Sequence, residues 1–479
     1  MDSPKVSVII PTYKGAHVLP EAVQSILNQT YQNFEVIIVD DASPDHTVDL
    51  FKPPPDPRVR YLVQEKNAGA RAARRVGIRA CSGEIVAFLD QDDLYHPEKL
   101  QAHVDYFKRH PDAGMTYNAR FSISDSIESI RNIWRPPQQL TLHDVVMGFP
   151  LSPSDIVLRR EWARPEYMEG PWGNSGGEIV LLGRLILGGC KVGYVDRALN
   201  YRRFESGRIF GNLSGNCASE LKCLEIIFID PRCPADVLQE SALAPVGLFL
   251  YWGSLAFSQG EVDLGKEYFL KALQLMPSLT EGTPSPLMVY LLDFSIEDES
   301  RDHTALLRNI LSNLPAELRG VSREYEWAVA CGHLVKGAGA IMWNRPAQGQ
   351  EQIEKLKRSS LVFDDSHVER LVSFLVDFDA EYGVSKTKQV LQKWTTSFGQ
   401  IIGRSGMKRL EGRYLLARAF RKYHAGRYLD ALGNVLRVFL HDPAQIKMRG
   451  TLAVIWRSMK FIVKDAFREG AGVYAGGPQ

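Results

Sequence analysis

The sequence lacks the features that mark several large classes of protein. Its 479 residues include only six cysteines, and no two of them have C-x-x-C spacing. Neither a zinc site nor a disulfide framework is therefore indicated, and a reducing cytoplasm is the simplest compartment. The formal net charge of +1 gives no electrostatic support for a nucleic-acid partner, so we expect none.

Long apolar runs and a leader-like start are also lacking. The first residues, MDSPKVSVIIPTYK, enter a strand-like run almost at once and have none of the segments of a signal peptide. The most apolar stretch, residues 243–258, is short for a membrane span and contains Pro245. We expect it to be a core helix.

Two common nucleotide-binding patterns are missing as well. No G-x-G-x-x-G follows the first strand-like run, and no G-x-x-x-x-G-K-[ST] occurs. A dinucleotide-binding Rossmann site and a P-loop are therefore unsupported.

What the sequence does contain is a regular alternation of strand and helix patterns between residues 5 and 120. Apolar strand-like runs occupy residues 6–11, 34–41, 59–65, 84–90 and 113–123, and helical patterns occupy 17–30, 68–83 and 96–111. Further strands at 154–160 and 191–203 flank a helix at 178–189. This order predicts an α/β domain whose sheet is mostly parallel and is covered by helices on both faces.

Acidic residues gather where these strands end. The stretch EIVAFLDQDD, residues 84–93, runs from a buried strand into three carboxylates that repel one another unless a cation neutralises them. In a parallel sheet, ligands bind at the carboxyl ends of the strands. The residues expected at this edge are Pro11, Asp40, Asp41, Asp90, Asp92 and Asp93.

Five motifs in this order resemble the family 2 glycosyltransferases of GT-A fold. They lie in VSVIIPTYK, FEVIIVDDAS, NAGARAARR, EIVAFLDQDD and the YRR of residues 201–203, so the resemblance covers roughly residues 5–205. It implies a GT-A domain over residues 1–215, with a Rossmann-like mixed, mostly parallel sheet. It also implies an inverting, metal-dependent hexosyltransferase of glycan or cell-surface polysaccharide biosynthesis.

The resemblance assigns a nucleoside-diphosphate sugar, a UDP-sugar first among them, to the strand ends. It places the nucleobase beside Pro11, Thr12 and Tyr13, with Tyr13 stacked on the ring. It also implies that Asp41 accepts a hydrogen bond from the imide of the base. Diphosphate oxygens are expected near one of two consecutive arginines, Arg202 or Arg203, and Arg202 is taken as the candidate. The other expected donor-site residues are Asp40, Asn67, Gly69, Arg74 and Asp90.

The D-Q-D-D segment is the expected metal site. Mg²⁺ and Mn²⁺ take oxygen ligands, usually one or two carboxylates together with phosphate oxygens and water. We expect Asp92 to bind the cation directly and Asp90 to hold either the ribose or a metal-bound water. The cation would then neutralise the departing diphosphate.

The acceptor side departs from the family pattern. A Glu-Asp pair usually opens the helix that precedes the last strand, but this chain has Glu178 followed by Ile179. Three interpretations stay open: Glu178 is the general base, another residue such as Asp155 is the base, or catalysis is impaired. In the third case the chain is a nucleotide-sugar-binding or scaffold protein. The acceptor itself stays open between a glycan, a lipid-linked saccharide and a protein.

Residues 216–479 are predicted to form an all-α domain with degenerate tetratricopeptide-like hairpins. Small residues recur at steps of 7 and 5 in residues 249–277, and a similar grid covers residues 415–443. Such a domain offers a surface for a protein partner. Basic residues on one side of the segment 451–469 also favour peripheral contact with the inner face of a membrane, as an alternative to a buried helix.

Overall fold

A computed structural model describes residues 3–52, 54–148, 151–170, 175–204, 211–298, 301–359, 361–424 and 427–441. The chain divides into two compact units, Met1–Ala328 and Val329–Gln479. The predicted boundary at 215/216 marks the change from mixed strands and helices to helices alone. The first compact unit nevertheless includes helices that follow residue 215. The position 215/216 therefore stays a prediction as a domain boundary.

The first unit contains a sheet of nine strands in the described residues. The strands are β1 Val6–Thr12, β2 Phe34–Asp40, β3 Val59–Val63, β4 Ile85–Phe88, β5 Leu94–Tyr95, β6 Met115–Ile123, β7 Ile130–Trp134, β8 Ile156–Arg159 and β9 Val192–Arg203. Their order is β3-β2-β1-β4-β8-β6-β9-β5, and β7 pairs with β6. All the predicted strands are present, whereas the short strands β5 and β7 were not predicted.

Strand direction divides the sheet into two halves. The strands β3, β2, β1 and β4 are mutually parallel, as their alternation with helices predicts. In the other half β8 runs antiparallel to both β4 and β6, while β9 is parallel to β6 and antiparallel to β5. The sheet is therefore mixed, and its parallel half carries the strand ends at which the acidic motifs were predicted.

Helices cover both faces of the sheet. The helices before residue 215 are α1 Leu19–Leu27, α2 Ala70–Ala80, α3 Lys99–Arg109, α4 Leu142–Val146 and α5 Gly177–Leu187. On one face Val8 and Ile10 pack with residues of α1 and α3, and on the other Ile9 packs with residues of α2 and α5. Because successive side chains of a strand point to opposite faces, the apolar run of β1 supplies both cores.

After β9 the described elements are all helical. They are α6 Leu213–Phe228, α7 Ala235–Gln239, α8 Pro245–Ser258, α9 Val262–Leu275, α10 Pro286–Glu297, α11 His303–Asn313, α12 Tyr325–Met342, α13 Pro346–Lys357, α14 Asp365–His424 and α15 Tyr428–His441. Helix α14 is interrupted at Gly383 and Gly403, whose φ angles are 80° and 76°. The second unit has a core of its own, formed by residues of α12 to α15.

Helices α8 and α9 form the hairpin predicted for residues 249–277. A Cβ atom at Gly253 would lie 2.6 Å from the Phe269 ring, and one at Gly265 would lie 2.9 Å from the Phe257 ring, so both positions require a residue without a side chain. Assignment of this hairpin to the tetratricopeptide class stays a prediction. Residues 442–479, which include the predicted basic helix at 451–469, lie outside the described residues.

In the part of the chain that the structure describes, one helical stretch is long and apolar enough to cross a membrane. It is Ala235–Ser258, with a mean hydropathy of 1.3 in its most apolar window, and 56% of that window is buried inside the protein. Core helices can be as long and as apolar as this. Within this stretch Trp252, Ala256 and Phe257 are almost fully buried, as expected for a core helix.

Candidate functional site

The carboxyl ends of β1, β2 and β4 bring the predicted donor-site motifs to one edge of the sheet. Thr12 is paired with Asp40 in the register of β1 and β2, and Ile9 is paired with Phe88, two residues before Asp90. Loops that leave three neighbouring parallel strands therefore start side by side. A cavity of about 370 Å³ opens at this edge.

The cavity is lined by residues from both the sheet edge and the helices that follow it. The first group comes from the ends of the parallel strands and the loops after them, with two residues of α2 and one of the loop before β8: Pro11, Thr12, Tyr13, Asp41, Ala70, Arg74, Asp90, Gln91, Asp92, Asp93 and Ser152. The second group comes from β9 and the segments beyond it: Arg202, Arg203, Phe204, Tyr251, Leu255, Phe294, Glu297, Asp298 and Arg301. Apart from Arg202 and Arg203, the second group was not predicted from the sequence.

Asp40 and Asp41 use their carboxylates to hold the surrounding loops. Asp40 is 1% exposed and accepts hydrogen bonds from the Ser43 amide at 2.8 Å and the Tyr61 hydroxyl at 2.5 Å. Asp40 does not line the cavity, so its position favours a structural role. The nucleotide contact expected for it stays a prediction.

Asp41 lines the cavity and also fixes the start of α2. One of its oxygens accepts from the Ala68 amide at 2.8 Å, and the other accepts from the Gly69 amide at 2.7 Å. Gly69 adopts φ 87°, a conformation that suits glycine, at the turn into the helix. Gly69 and the exposed Asn67 do not themselves line the cavity, and Ala70 is the residue of this turn that does.

Gln91 connects the first loop to the acidic loop, a role that the sequence did not predict. Its side-chain oxygen accepts hydrogen bonds from the Thr12 hydroxyl at 2.7 Å and the Tyr13 amide at 3.0 Å. Its side-chain amide donates to the Tyr13 carbonyl at 3.2 Å. The uncharged residue of D-Q-D-D thus positions the backbone of Tyr13, whose side chain is 39% exposed.

The three carboxylates of the acidic loop have different surroundings. The Asp90 amide donates to the Ser154 hydroxyl at 3.0 Å, which fixes the start of the loop, and Asp92 faces the cavity. Burial and the neighbouring charges of Asp92 and Asp90 raise the pKa of Asp93 well above its ordinary value. The three carboxylates are therefore close enough for their charges to repel one another.

This donor set fits a hard divalent cation. No group of three or more His, Cys, Asp or Glu side chains in the described part of the chain is arranged to hold a metal by itself. A cation that acts on a diphosphate needs only one or two carboxylates, because phosphate oxygens and water supply the remaining ligands. Asp92 and Asp90 are suitable, and the crowding of like charge around them favours a bound cation.

Arg74 joins the acidic loop to α5. Its guanidinium lies 2.5 Å from an Asp90 oxygen and 3.7 Å from a Glu178 oxygen, and its buried Nε has no hydrogen-bond partner. Burial opposes the charged form, but these two carboxylates outweigh burial and raise the pKa of Arg74. The arginine is thus a fixed positive charge at the rim of the carboxylate cluster.

The structure separates the two acidic candidates for a general base. Glu178 lies in the first turn of α5, partly exposed, whereas Ile179 packs against core residues. Asp155 is fully buried, and its oxygens accept from the guanidinium of Arg120 at 2.5 Å and the side-chain amide of Asn200 at 3.1 Å. Asp155 is therefore closed to an acceptor hydroxyl, and the identity of the general base stays a prediction.

Two consecutive arginines at the end of β9 differ in their partners. Arg203 forms an ion pair with Glu21 at 2.6 Å, and its amide donates to Asp93 at 3.3 Å. Burial opposes the charged form of Arg202, but Asp93 and the other nearby carboxylates outweigh it and raise the pKa of Arg202. Arg202 therefore keeps its charge at the cavity wall, where it was predicted to meet a diphosphate.

The geometry defines an α/β domain with a cavity and an acidic, metal-suited loop at the carboxyl ends of its parallel strands. Residues 7–159 match the family model described as glycosyl transferase family 2. The predicted fold class, a GT-A domain followed by helices, is confirmed by the mixed sheet and by the helices that follow it.

Named relatives share parts of this domain. The chain is 30% identical over 165 residues to the UDP-Glc:alpha-D-GlcNAc-diphosphoundecaprenol beta-1,3-glucosyltransferase WfgD of Escherichia coli, a match that covers 34% of this chain and 64% of the relative. It is 42% identical over 105 residues to an uncharacterized glycosyltransferase of Rickettsia felis, covering 22% of this chain and 17% of the relative. The chain thus spans less than two thirds of the length of these relatives.

Among solved structures, the chain is similar to S. aureus TarS 1–349 in complex with UDP. The sequence identity is 18% and the TM-score is 0.40, over 67% of this chain and 91% of the TarS chain.

Proposed function

We propose that this protein is an inverting, metal-dependent glycosyltransferase that moves a sugar from a nucleoside-diphosphate sugar to an acceptor hydroxyl. The observation that carries the proposal is the single cavity that Tyr13, Asp41, Asp92 and Arg202 line. Tyr13 offers an aromatic ring and Asp41 offers hydrogen-bond acceptors. Asp92 offers a ligand for a metal ion, and Arg202 offers a positive charge for phosphate oxygens. The name of the relative WfgD favours a UDP-sugar as donor and a role in polysaccharide biosynthesis.

The donor would bind along the strand ends. The half-exposed Tyr13 ring suits stacking on a nucleobase, and Gln91 holds its backbone in place. Asp41 faces the same cavity and retains lone pairs for a base imide in addition to its bonds with the loop. Arg202 supplies positive charge for the diphosphate.

Asp92, with Asp90, would hold Mg²⁺ or Mn²⁺. The cation supplies charge neutralisation for the diphosphate leaving group. Arg74 holds Asp90 in position through its short ion pair, and Ser154 fixes the Asp90 backbone. These contacts preorganise the loop before substrate arrives.

Glu178 is our candidate for the group that removes the acceptor proton. It lies 3.7 Å from Arg74, so it belongs to the same charge network as Asp90, and its side chain is partly exposed. Ile179, at the position of the customary aspartate, packs against the core. A single displacement at the anomeric carbon with this base gives inversion.

The test is metal-dependent binding of the donor nucleotide. We expect UDP to bind at least ten times more tightly with Mn²⁺ than without it, and Asp92→Asn to abolish this difference, as measured by calorimetry. Asp125→Asn, on the exposed turn between β6 and β7, is the matched control and should bind like wild type. Absence of metal-dependent affinity for UDP, GDP and their sugar conjugates would contradict the proposal.

The second candidate function is a nucleotide-sugar-binding or scaffold protein, and Ile179 is the observation in its favour. Transfer to an acceptor panel separates the two, because a scaffold binds UDP with Mn²⁺ but shows no turnover. Turnover that survives Glu178→Gln would exclude Glu178 as the base but would leave the transferase function in place.

The proposal also includes a location and a partner. We propose a cytoplasmic location with peripheral contact at the inner face of the membrane, and a protein partner on the helical part.

A further inference from the structure

One wall of the cavity is formed by helices that follow the residues matched by the family model. Tyr251 and Leu255 are four residues apart on α8, and Phe294 and Glu297 are three apart on α10, so each pair shares one face of its helix. The Tyr251 and Phe294 rings are 6.4 Å apart between centroids and nearly perpendicular, at 82°. The two helices thus present a joined surface of rings and a carboxylate.

The two adjacent acids at the end of α10 have different environments. Asp298 is 2% exposed and lies 3.4 Å from Arg131 and 3.0 Å from Arg301, so it serves to hold the segment in place. Glu297, in contrast, is exposed to solvent inside the cavity that it lines. The protein around the cavity partly removes its carboxyl from bulk water, and this desolvation, with Asp298, raises the pKa of Glu297 against the opposing effect of Arg202, Arg120 and Arg301.

Sugar transfer requires a second substrate in the same cavity as the donor. The reacting oxygen has to come within about 3–3.5 Å of the anomeric carbon, so both substrates share one site. The strand-end residues are assigned to the nucleotide and the cation. Of the residues that line the cavity, those of α8 and α10 are left for the acceptor.

The chemistry of this wall suits a sugar ring. A pyranose has an apolar face of C–H groups, which packs on aromatic rings, and an edge of hydroxyl groups, which donate hydrogen bonds. An ionised carboxylate only accepts hydrogen bonds, so it recognises hydroxyl groups and repels phosphate. The partly exposed Tyr251 offers the ring, the buried Phe294 packs edge to face against it, and Glu297 offers the hydrogen-bond acceptor.

We propose that this wall is the acceptor subsite, that it binds a sugar residue of a glycan acceptor, and that Glu297 accepts a hydrogen bond from an acceptor hydroxyl. The proposal rests on the proposed transferase function and assigns the substrate class of its second site. Glu178 keeps its role as candidate base, and Glu297 binds and orients the acceptor.

The experiment compares Glu297→Gln with wild type on a set of p-nitrophenyl glycosides of glucose, galactose and N-acetylglucosamine. Saturation-transfer NMR on the protein with UDP and Mn²⁺ measures glycoside binding, and steady-state transfer from UDP-sugars gives the acceptor KM. We expect Glu297→Gln to raise the glycoside Kd and the acceptor KM at least tenfold, and Glu297→Asp to recover part of that loss. Calorimetric affinity for UDP and Mn²⁺ stays within twofold of wild type.

Asp293→Asn, on the exposed side of the same helix, is the matched control and should leave every value unchanged. No saturable glycoside binding to the UDP complex, or an unchanged glycoside affinity in Glu297→Gln, would overturn the subsite. A comparable loss of UDP affinity would overturn it too, by placing Glu297 in the donor site. Failure of wild type to bind UDP with Mn²⁺ would instead overturn the proposed function, so the two failures are distinct.

Discussion

At the scale of single residues, the hydrogen bonds of Gln91 lead to a direct prediction about UDP binding. It makes three hydrogen bonds that tie Thr12 and the Tyr13 backbone to the acidic loop. Each of these hydrogen bonds contributes about 1 kcal/mol, and less where water competes. Losing all three therefore leaves the Tyr13 ring poorly positioned to stack on a nucleobase. We predict that Gln91→Leu weakens UDP binding about tenfold, with a change of no more than a few degrees in Tm.

Calorimetry on UDP and Mn²⁺ measures this loss. Gln101→Leu on α3, which removes a side-chain contact with Asp105 away from the cavity, is the matched control. Equal UDP affinity in Gln91→Leu and wild type would show that the Tyr13 loop keeps its position without the hydrogen bonds of Gln91.

At the scale of secondary-structure elements, Glu35 ties three of them together. Its carboxylate accepts from the Ser7 hydroxyl of β1 at 2.6 Å and from the amide of Ser82, in the loop between α2 and β4, at 2.7 Å. Burial alone would raise the pKa of Glu35, but the hydrogen bonds from Ser7 and Ser82 outweigh it and lower the pKa to about 2. A lowered carboxyl pKa stabilises the fold above the unfolded value of about 4.3, and this stabilisation is lost as pH falls towards 2.

We therefore predict that Glu35→Gln lowers the free energy of unfolding at pH 7 by about 2 kcal/mol. This value is smaller than the full pKa shift implies, because water screens the attraction between Glu35 and the exposed Lys5. The difference between variant and wild type should shrink between pH 4.5 and 2, as measured by chemical denaturation. Glu65→Gln, at an exposed site after β3, controls for the loss of one charge. A difference that is constant with pH would show that the ionised form of Glu35 contributes nothing.

The same scale shows how far sequence patterns reach. Apolar runs bounded by turns predicted the parallel strands and their helices, because burial on both faces leaves a continuous apolar signal in each strand. The two-residue strand β5 carries too little pattern to be found. The roles of Asp155 and Ile179 depend on contacts distant in sequence, so only the fold reveals that one is sealed in the core and the other packs against it.

At the scale of the whole molecule, the cavity depends on more chain than the matched family domain. Residues 7–159 match the family, yet Tyr251, Phe294 and Glu297 line the same cavity as Asp92. The sequence gives no sign of this, since the helical period of α8 and α10 indicates buried faces but not which of them border a ligand. The predicted division at 215/216 consequently separates residues that share one cavity.

This arrangement makes truncation informative. All the described lining residues lie in the unit Met1–Ala328, and Leu224 and Ile227 of α6 complete the core beneath α5. We predict that residues 1–328 bind UDP with Mn²⁺ within threefold of the full chain, whereas residues 1–215 lose at least tenfold and expose apolar surface. Calorimetry and circular dichroism on the two fragments measure affinity and folding together. A folded 1–215 fragment with full affinity would show that the donor site needs none of the helices, and would confine their part in the cavity to the acceptor.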